Sequence, residues 1–248
     1  MLFDRAFVSF LVARTCLGLS STVLSVAIGW HLYQATGDPF DLALVGLFQV
    51  LPVMLLFIVS GWVVDQFSRK RVLVTCAVLE LLVDLGLASG RRDGEVQRQV
   101  VFTLLVLNGW VRAFNGPAMQ AILPNIVSPG LLSRAVALTS TVWTAAMTAG
   151  PFVAGLLIAA VDFATYSVLA GLALLSVLCL AQLPRLEVEQ RLERGVSQLL
   201  DGVRFVFKDP IVLPSISLDL LIVLAGSVLA LLPVYAVDVL GVGPEALG

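Results

Sequence analysis

Long apolar runs separated by short polar breaks organise this sequence. Blocks of roughly eighteen or more residues, built mainly of Leu, Val and Ala, recur along it. Each is long enough, at about 1.5 Å per residue, to cross a hydrocarbon core of about 30 Å as a helix. The pattern predicts seven spans, over 7–34, 41–64, 71–90, 99–122, 134–160, 163–183 and 212–239. Alternating strand-length segments are absent, which argues against an outer-membrane barrel. Between the sixth and seventh spans lies the long polar segment PRLEVEQRLERGVSQLLDGVRFVFKDP. Within it Val196, Leu199, Leu200, Val203, Phe205 and Phe207 form an amphipathic middle, which predicts a helix lying along the membrane surface. The chain therefore reads as a six-helix amino-terminal bundle over 1–184, a linker over 185–211, and a seventh helix with the start of an eighth over 212–248.

Composition changes that picture little. Apolar residues make up 59% of the chain and charged ones 13%, too few to cover a water-facing surface. The location of the cations is more informative than the net charge of −2. With the amino terminus in the cytoplasm, the inner segments carry Arg5, Arg69, Lys70, Arg71, Arg134, Arg185, Arg191, Arg194, Arg204 and Lys208. The outer ones carry Arg91, Arg92 and Arg98, so the bias favours that orientation although the outer trio departs from it. Arg14 interrupts the first run, which speaks against a cleavable signal peptide and for a retained first helix. Cys16, Cys76 and Cys179 all fall inside apolar runs without metal spacing, as small packing residues do, so neither a disulfide framework nor a metal site is expected.

Polar residues inside the spans are the candidate chemistry, because a charge at bilayer depth costs about 2.5–3.5 kcal/mol on insertion scales. Arg14, Gly18, Ser21, Ser25 and Gly29 share one helical face of the first span. Asn108, Arg112, Asn115 and Gly116 repeat the pattern in the fourth, and Ser140, Thr144 and Thr148 in the fifth. Such stripes either let helices approach closely or line a wet cavity. Glu80 and Asp84, one turn apart on the third span, are either proton carriers or structural partners of Arg14 or Arg112. Asp219, on the same face of the seventh span as Ser215, is a candidate for a coupling or substrate-facing acid. Pro52 and Pro151 mark expected bends. His31, beside Trp30 and Tyr33, reads as part of an interfacial belt.

The stretch GWVVDQFSRKRVL, between the second and third spans, resembles the signature loop of the major facilitator superfamily. Gly61, Asp65, Arg69 and Lys70 match their places, while Gln66 stands for the usual cation and Ser68 for the usual glycine. RAFNGPAMQAILPNIV is similar to that superfamily's fourth-helix motif through Arg112 and Gly116. AGPFVAG is similar to the fifth-helix motif of its drug-exporting branches through Gly150, Pro151 and Gly155. The seventh-span sequence LDLLIVLAGSVLALLPVYAVDVLGVGPEALG looks like that of the enterobactin-exporter and multidrug or macrolide efflux branch. The resemblance implies an all-α membrane protein, built as two bundles of six helices that rock about a central site, with proton entry driving export. It also implies that Gly61, Asp65, Arg69 and Lys70 form a cytoplasmic interlock between the bundles, with Asp65 accepting charge-assisted hydrogen bonds from Arg69 or backbone donors. Read as a topological anchor alone, the run accounts for Lys70 and Arg71 but leaves Asp65 and Gly61 without a role.

Against that resemblance the sequence stops where the eighth helix begins, so it reads as a truncated form of such a transporter. The expected partners are a small amphipathic substrate, protons and the lipid bilayer of a bacterial cytoplasmic membrane, with no nucleic acid and no cofactor. A non-transporting membrane subunit or inactive fragment, completed by a second polypeptide that supplies the missing helices, is the alternative. An enzyme is not expected, since no phosphate-binding loop, H-E-x-x-H or G-x-S-x-G occurs.

Overall fold

The computed structural model describes residues 4–89, 91–92, 95–184, 212–215, 217–218 and 221. Six long helices make up most of the first of two compact units, Met1–Gln190. They are α1 (Arg5–Thr36), α2 (Pro39–Gln66), α3 (Arg69–Ser89), α4 (Arg98–Ile126), α5 (Leu132–Val161) and α6 (Thr165–Ala181). A two-residue antiparallel ladder, β1 (Arg91–Arg92) with β2 (Glu95–Val96), joins α3 to α4 by pairing Arg91 with Val96 and Arg92 with Glu95. Short 3₁₀ turns, Pro129–Leu131 and Asp162–Ala164, precede α5 and α6. In the second unit, Arg191–Gly248, residues 212–215, 217, 218 and 221 are helical. The expected surface helix over 185–211, most of the seventh span, and Asp219 lie outside the described residues.

Local chemistry explains the tight turns. Gly37 closes α1 at φ 64°, a left-handed conformation that suits glycine, and its N–H donates to the Tyr33 carbonyl. Asp38 follows as the N-cap of α2, accepting from the Phe40 N–H, and Pro39 opens the helix where no backbone donor is needed. The Gly-Asp-Pro sequence therefore ends one helix and starts the next within two residues.

Among the described residues, Arg5–Thr36, Pro39–Phe57, Arg69–Ser89 and Pro129–Ala181 are long and apolar enough to cross a membrane. α4 is less apolar, since its middle carries Asn108, Arg112 and Asn115. In the packing, α2 lies on α4, α1 on α5 and α6, and α3 on α4 and α6. Glycine permits the closest approach of α2 to α4. A Cβ at Gly109 would come within 2.8 Å of Pro52 and 3.0 Å of the Gln49 carbonyl. Pro52 has no N–H for the Phe48 carbonyl one turn earlier, and the bare backbone at Gly109 packs against that part of the helix.

Two apolar clusters hold the bundle. One gathers Phe7, Phe10, Leu73, Ile122, Leu180 and Leu183. The other gathers Leu24, Ile28, Leu32, Val83, Leu105 and Leu169. Between them along α1 and α3 lie the buried polar side chains of Ser20 and Glu80, and Asp84 is buried within the second cluster's stretch of α3. Outward-facing residues are apolar and open, including Met54 at 70%, Phe57 at 71% and Phe152 at 71%, as a lipid-facing surface requires.

Candidate functional site

The polar residues of α1–α5 converge on a cleft of about 570 Å³, bounded by Arg14, Ser21, Gln49, Cys76, Glu80, Arg112, Asn115, Met119, Ser140, Trp143 and Thr144. Helix periodicity brings them together, because each polar stripe is set at steps of three or four and so faces one direction. The Arg14 Nε donates to the Thr139 carbonyl at 3.2 Å, and its guanidinium lies 5.4 Å from the Trp143 ring centre, a cation–π distance. Across the cleft, Arg112 Nη1 donates to Gln49 Oε1 at 3.0 Å. The Ser25 hydroxyl lies 2.9 Å from the same oxygen, so Gln49 links α1, α2 and α4.

Glu80 is 3% exposed, and both its oxygens accept from Asn108 Nδ2, at 3.0 and 2.9 Å. Arg112 borders the same cleft but makes no ion pair with Glu80. The cleft thus presents two guanidiniums and one carboxyl among its described residues, with an indole and a thioether beside them. Such a wall can hold a planar or amphipathic molecule by stacking, dispersion and charge.

Asp84, one turn beyond Glu80, does not border the cleft. It is fully buried, and neither carboxyl oxygen has a hydrogen-bond partner; Ser20 lies beside it, outside hydrogen-bond geometry. Asn108 sits behind Glu80 rather than on the cleft surface. The two expected readings of the stripes both apply. Ser21, Ser140 and Thr144 face the cleft, whereas Gly18 and Gly150 are contact points between α1 and α5. A Cβ at Gly18 would meet Trp143 at 3.1 Å, and one at Gly150 would overlap Thr22. Pro151 and Gly155 lie on the exposed side of α5, and a Cβ at Gly155 would touch nothing.

The signature loop ties helix ends together. Arg69 Nη1 donates to Asn125 Oδ1 at 2.6 Å, reaching the end of α4. Lys70 Nζ donates to the Ala181 carbonyl at 2.7 Å and to the Leu183 carbonyl, a cation at the carboxyl end of α6 where the helix dipole favours it. Asp65 is exposed on the last turn of α2, and a Cβ at Gly61 would meet open space.

Three placements depart from the sequence reading or went unseen in it. His31 is not a belt residue. It is 3% exposed, while Trp30 and Tyr33 beside it are open at 50% and 44%. Its phase explains this, since Leu24, Ala27, Ile28 and His31 share the inward face of α1. Gln49 and Asp41, both buried on the inward face of α2, were also missed. Gln49 was detectable as the lone polar side chain of its apolar run. Asp41 pairs with Arg98, whose guanidinium also lies 5.7 Å from the Phe102 ring centre. One of the three outer cations that depart from the orientation bias is therefore paired with a buried acid while its own side chain stays half exposed.

A helical bundle with an apolar exterior and its charges gathered in an internal cleft is the architecture of an integral membrane protein. The sequence profile of the transmembrane secretion effector family matches residues 2–248, and the chain belongs to that family, within the efflux branch of the major facilitator superfamily. It is 27% identical over 213 residues to the multidrug efflux pump Tap of Mycolicibacterium fortuitum, covering 81% of this chain and 52% of that protein. It is 27% identical over 236 residues to the enterobactin exporter EntS of a Shigella boydii strain, covering 93% and 56%. A third relative, macrolide efflux protein A of Streptococcus pyogenes, is 24% identical over 139 residues, covering 56% and 34%. The chain spans about half the length of Tap and EntS.

Proposed function

We propose that this chain supplies the first bundle, linker and seventh helix of a secondary exporter of small amphipathic molecules of drug, macrolide or siderophore type. It works by alternating access against protons in a bacterial cytoplasmic membrane, with its amino terminus in the cytoplasm. The cleft carries this reading: Arg14 and Arg112 line it with Glu80 and Trp143 inside an apolar bundle, where each charge is costly unless it serves a wet pathway. The names of the relatives support the substrate class.

In this reading Arg14, Arg112 and Trp143 face the substrate, and Glu80, Asp84 and Asp219 are the candidate proton carriers. Arg69 and Lys70 fix the signature loop to α4 and α6, so that Gly61 and Asp65 are presented as part of one rigid bundle toward its partner bundle. Pro151, between Gly150 and Gly155, sets the path of α5 along the cleft.

The test is efflux of the fluorescent dye Hoechst 33342 from proteoliposomes of the full-length protein under an imposed pH gradient. Asp65→Asn is expected to impair efflux with membrane insertion intact, and Asp219→Asn to flatten its pH dependence. Efflux that ignores the gradient in the unaltered protein would remove proton coupling. Absence of transport by any full-length form would favour the alternative, a non-transporting membrane subunit or inactive fragment.

A further inference from the structure

The buried cluster at the α5–α6 turn has no part in the reading above. His31 uses both ring nitrogens there: Nδ1 lies 2.9 Å from the Tyr166 hydroxyl and Nε2 lies 3.1 Å from Asp162 Oδ1. Phe163 stacks on the imidazole at 4.2 Å, fixing its plane. Asp162 is 61% exposed at its side chain, so one end of this chain of groups meets water, while His31 at the other side of the contact is closed off. The backbone of Asp162 sits at φ 47°, an unusual value for a residue with a side chain, and this turn carries the carboxyl back to the ring.

We propose that Asp162, His31 and Tyr166 form a proton relay that connects water at the α5–α6 turn with the buried carboxyl of Asp84, and through Asp84 with Glu80 at the cleft wall. Two independent observations point inward from Tyr166. Asp84 is a fully buried acid with no hydrogen-bond partner for either oxygen, a group without an evident structural task. Leu87, one turn along α3 from Asp84 and on the same face, borders a cavity of about 10 Å³ against His31 and Tyr166, and Glu80 lies one turn from Asp84 on its other side. Among the described residues, the ionisable groups along the path are Asp162 and Tyr166 in contact with His31, Glu80 one turn from Asp84 on α3, and Arg112 and Cys76 beside Glu80 on the cleft wall.

One transfer balances as follows. With the ring carrying its hydrogen on Nδ1, a protonated Asp162 gives its proton to Nε2. The Nδ1 hydrogen passes to the Tyr166 oxygen, and the phenol's original hydrogen passes to Asp84. One proton leaves Asp162, one arrives at Asp84, Tyr166 is unchanged, and the imidazole ends as the other neutral tautomer. The reverse sequence carries a proton out and restores the ring. The step from Tyr166 to Asp84 has no direct hydrogen bond, so it needs a bridging water or a shift of the phenol.

The relay's service to transport rests on the proton-coupled reading, but its operation can be read separately. Time-resolved infrared difference spectroscopy of the full chain in lipid, after a pH jump, follows the Asp84 carboxyl band, assigned by its loss in Asp84→Asn. The band is expected to respond in the unaltered protein. The response should slow roughly tenfold or more in His31→Gln and Tyr166→Phe. Asp162→Asn, at an exposed position whose backbone asparagine tolerates, should slow it too, and decides the matter where the buried variants fail to fold. A band that ignores pH in the unaltered protein, or an unchanged rate in the folded variants, overturns the relay. A band moved in position but not in rate also overturns it and leaves His31 a structural clamp. Dye efflux without internal pH change would sink proton coupling of transport while the relay stands on its infrared rates.

Discussion

Asn108→Ala tests whether the centre of the bundle is held by a carboxyl–amide contact. The change removes the donor shared by both Glu80 oxygens at 3.0 and 2.9 Å, in a place where the two residues are 3% and 1% exposed. Side-chain hydrogen bonds between membrane helices contribute about 0.6 kcal/mol on average and up to about 1.7. Full burial and a carboxyl acceptor put this one near the top of that range, at about 1.5 kcal/mol. The void left by truncation adds roughly 0.5–1 kcal/mol, for a total of about 2–2.5 kcal/mol. In a Glu80→Leu background the hydrogen bond is already gone, so the same truncation should cost only the void. The difference of about 1.5 kcal/mol is the coupling energy, measured by unfolding the four proteins with sodium dodecyl sulfate in mixed micelles. An equal cost in the two backgrounds would refute the contact as a source of stability.

Three further outcomes are expected. Lys70→Met should release the end of α6 by about 1 kcal/mol, seen as faster amide exchange around Ala181 to Leu183 with the rest of the bundle unchanged. Arg98→Gln leaves the Asp41 carboxyl buried without its cation. The loss should be roughly 2 kcal/mol, below the usual range for a fully buried pair because Arg98 is half exposed, and Asp41→Asn in the same chain should recover part of it in a thermal-unfolding assay. Gly150→Ala should destabilise by about 1–3 kcal/mol through overlap with Thr22, and Thr22→Gly should relieve it; a harmless Gly150→Ala would mean that α1 and α5 can separate without cost.

The sequence showed some of these features more clearly than others. Spans were legible because lipid imposes one rule along a whole run, and the first six expected spans agree with α1–α6 to within a few residues. Arg14, Glu80 and Arg112 were legible as candidates since a charge in an apolar run stands out wherever it points. Their partners were not. The sequence offers Arg14 or Arg112 as partners of Glu80, yet its hydrogen bonds come from Asn108 on the adjacent helix, a matter of rotation and depth that spacing along one helix does not specify. His31 was misread because its neighbours in sequence, Trp30 and Tyr33, point away from it. Helical phase against Leu24 and Ile28 would have placed it inside. Arg98 reads from the sequence as an outer loop cation, whereas it opens α4 and pairs with Asp41 in the first turn of the adjacent α2.

The hydrogen bond that fastens Arg14 to α5 goes to the main chain, at the Thr139 carbonyl, and not to a side chain. An amide oxygen is supplied by whatever amino acid occupies that position, so substitutions along α5 can reshape the walls of the cleft and leave this anchor in place. Only a slide or rotation of the helix itself would detach it. The α5 face of the cleft can therefore change its shape and polarity while the positive charge opposite stays registered to the same point in the fold.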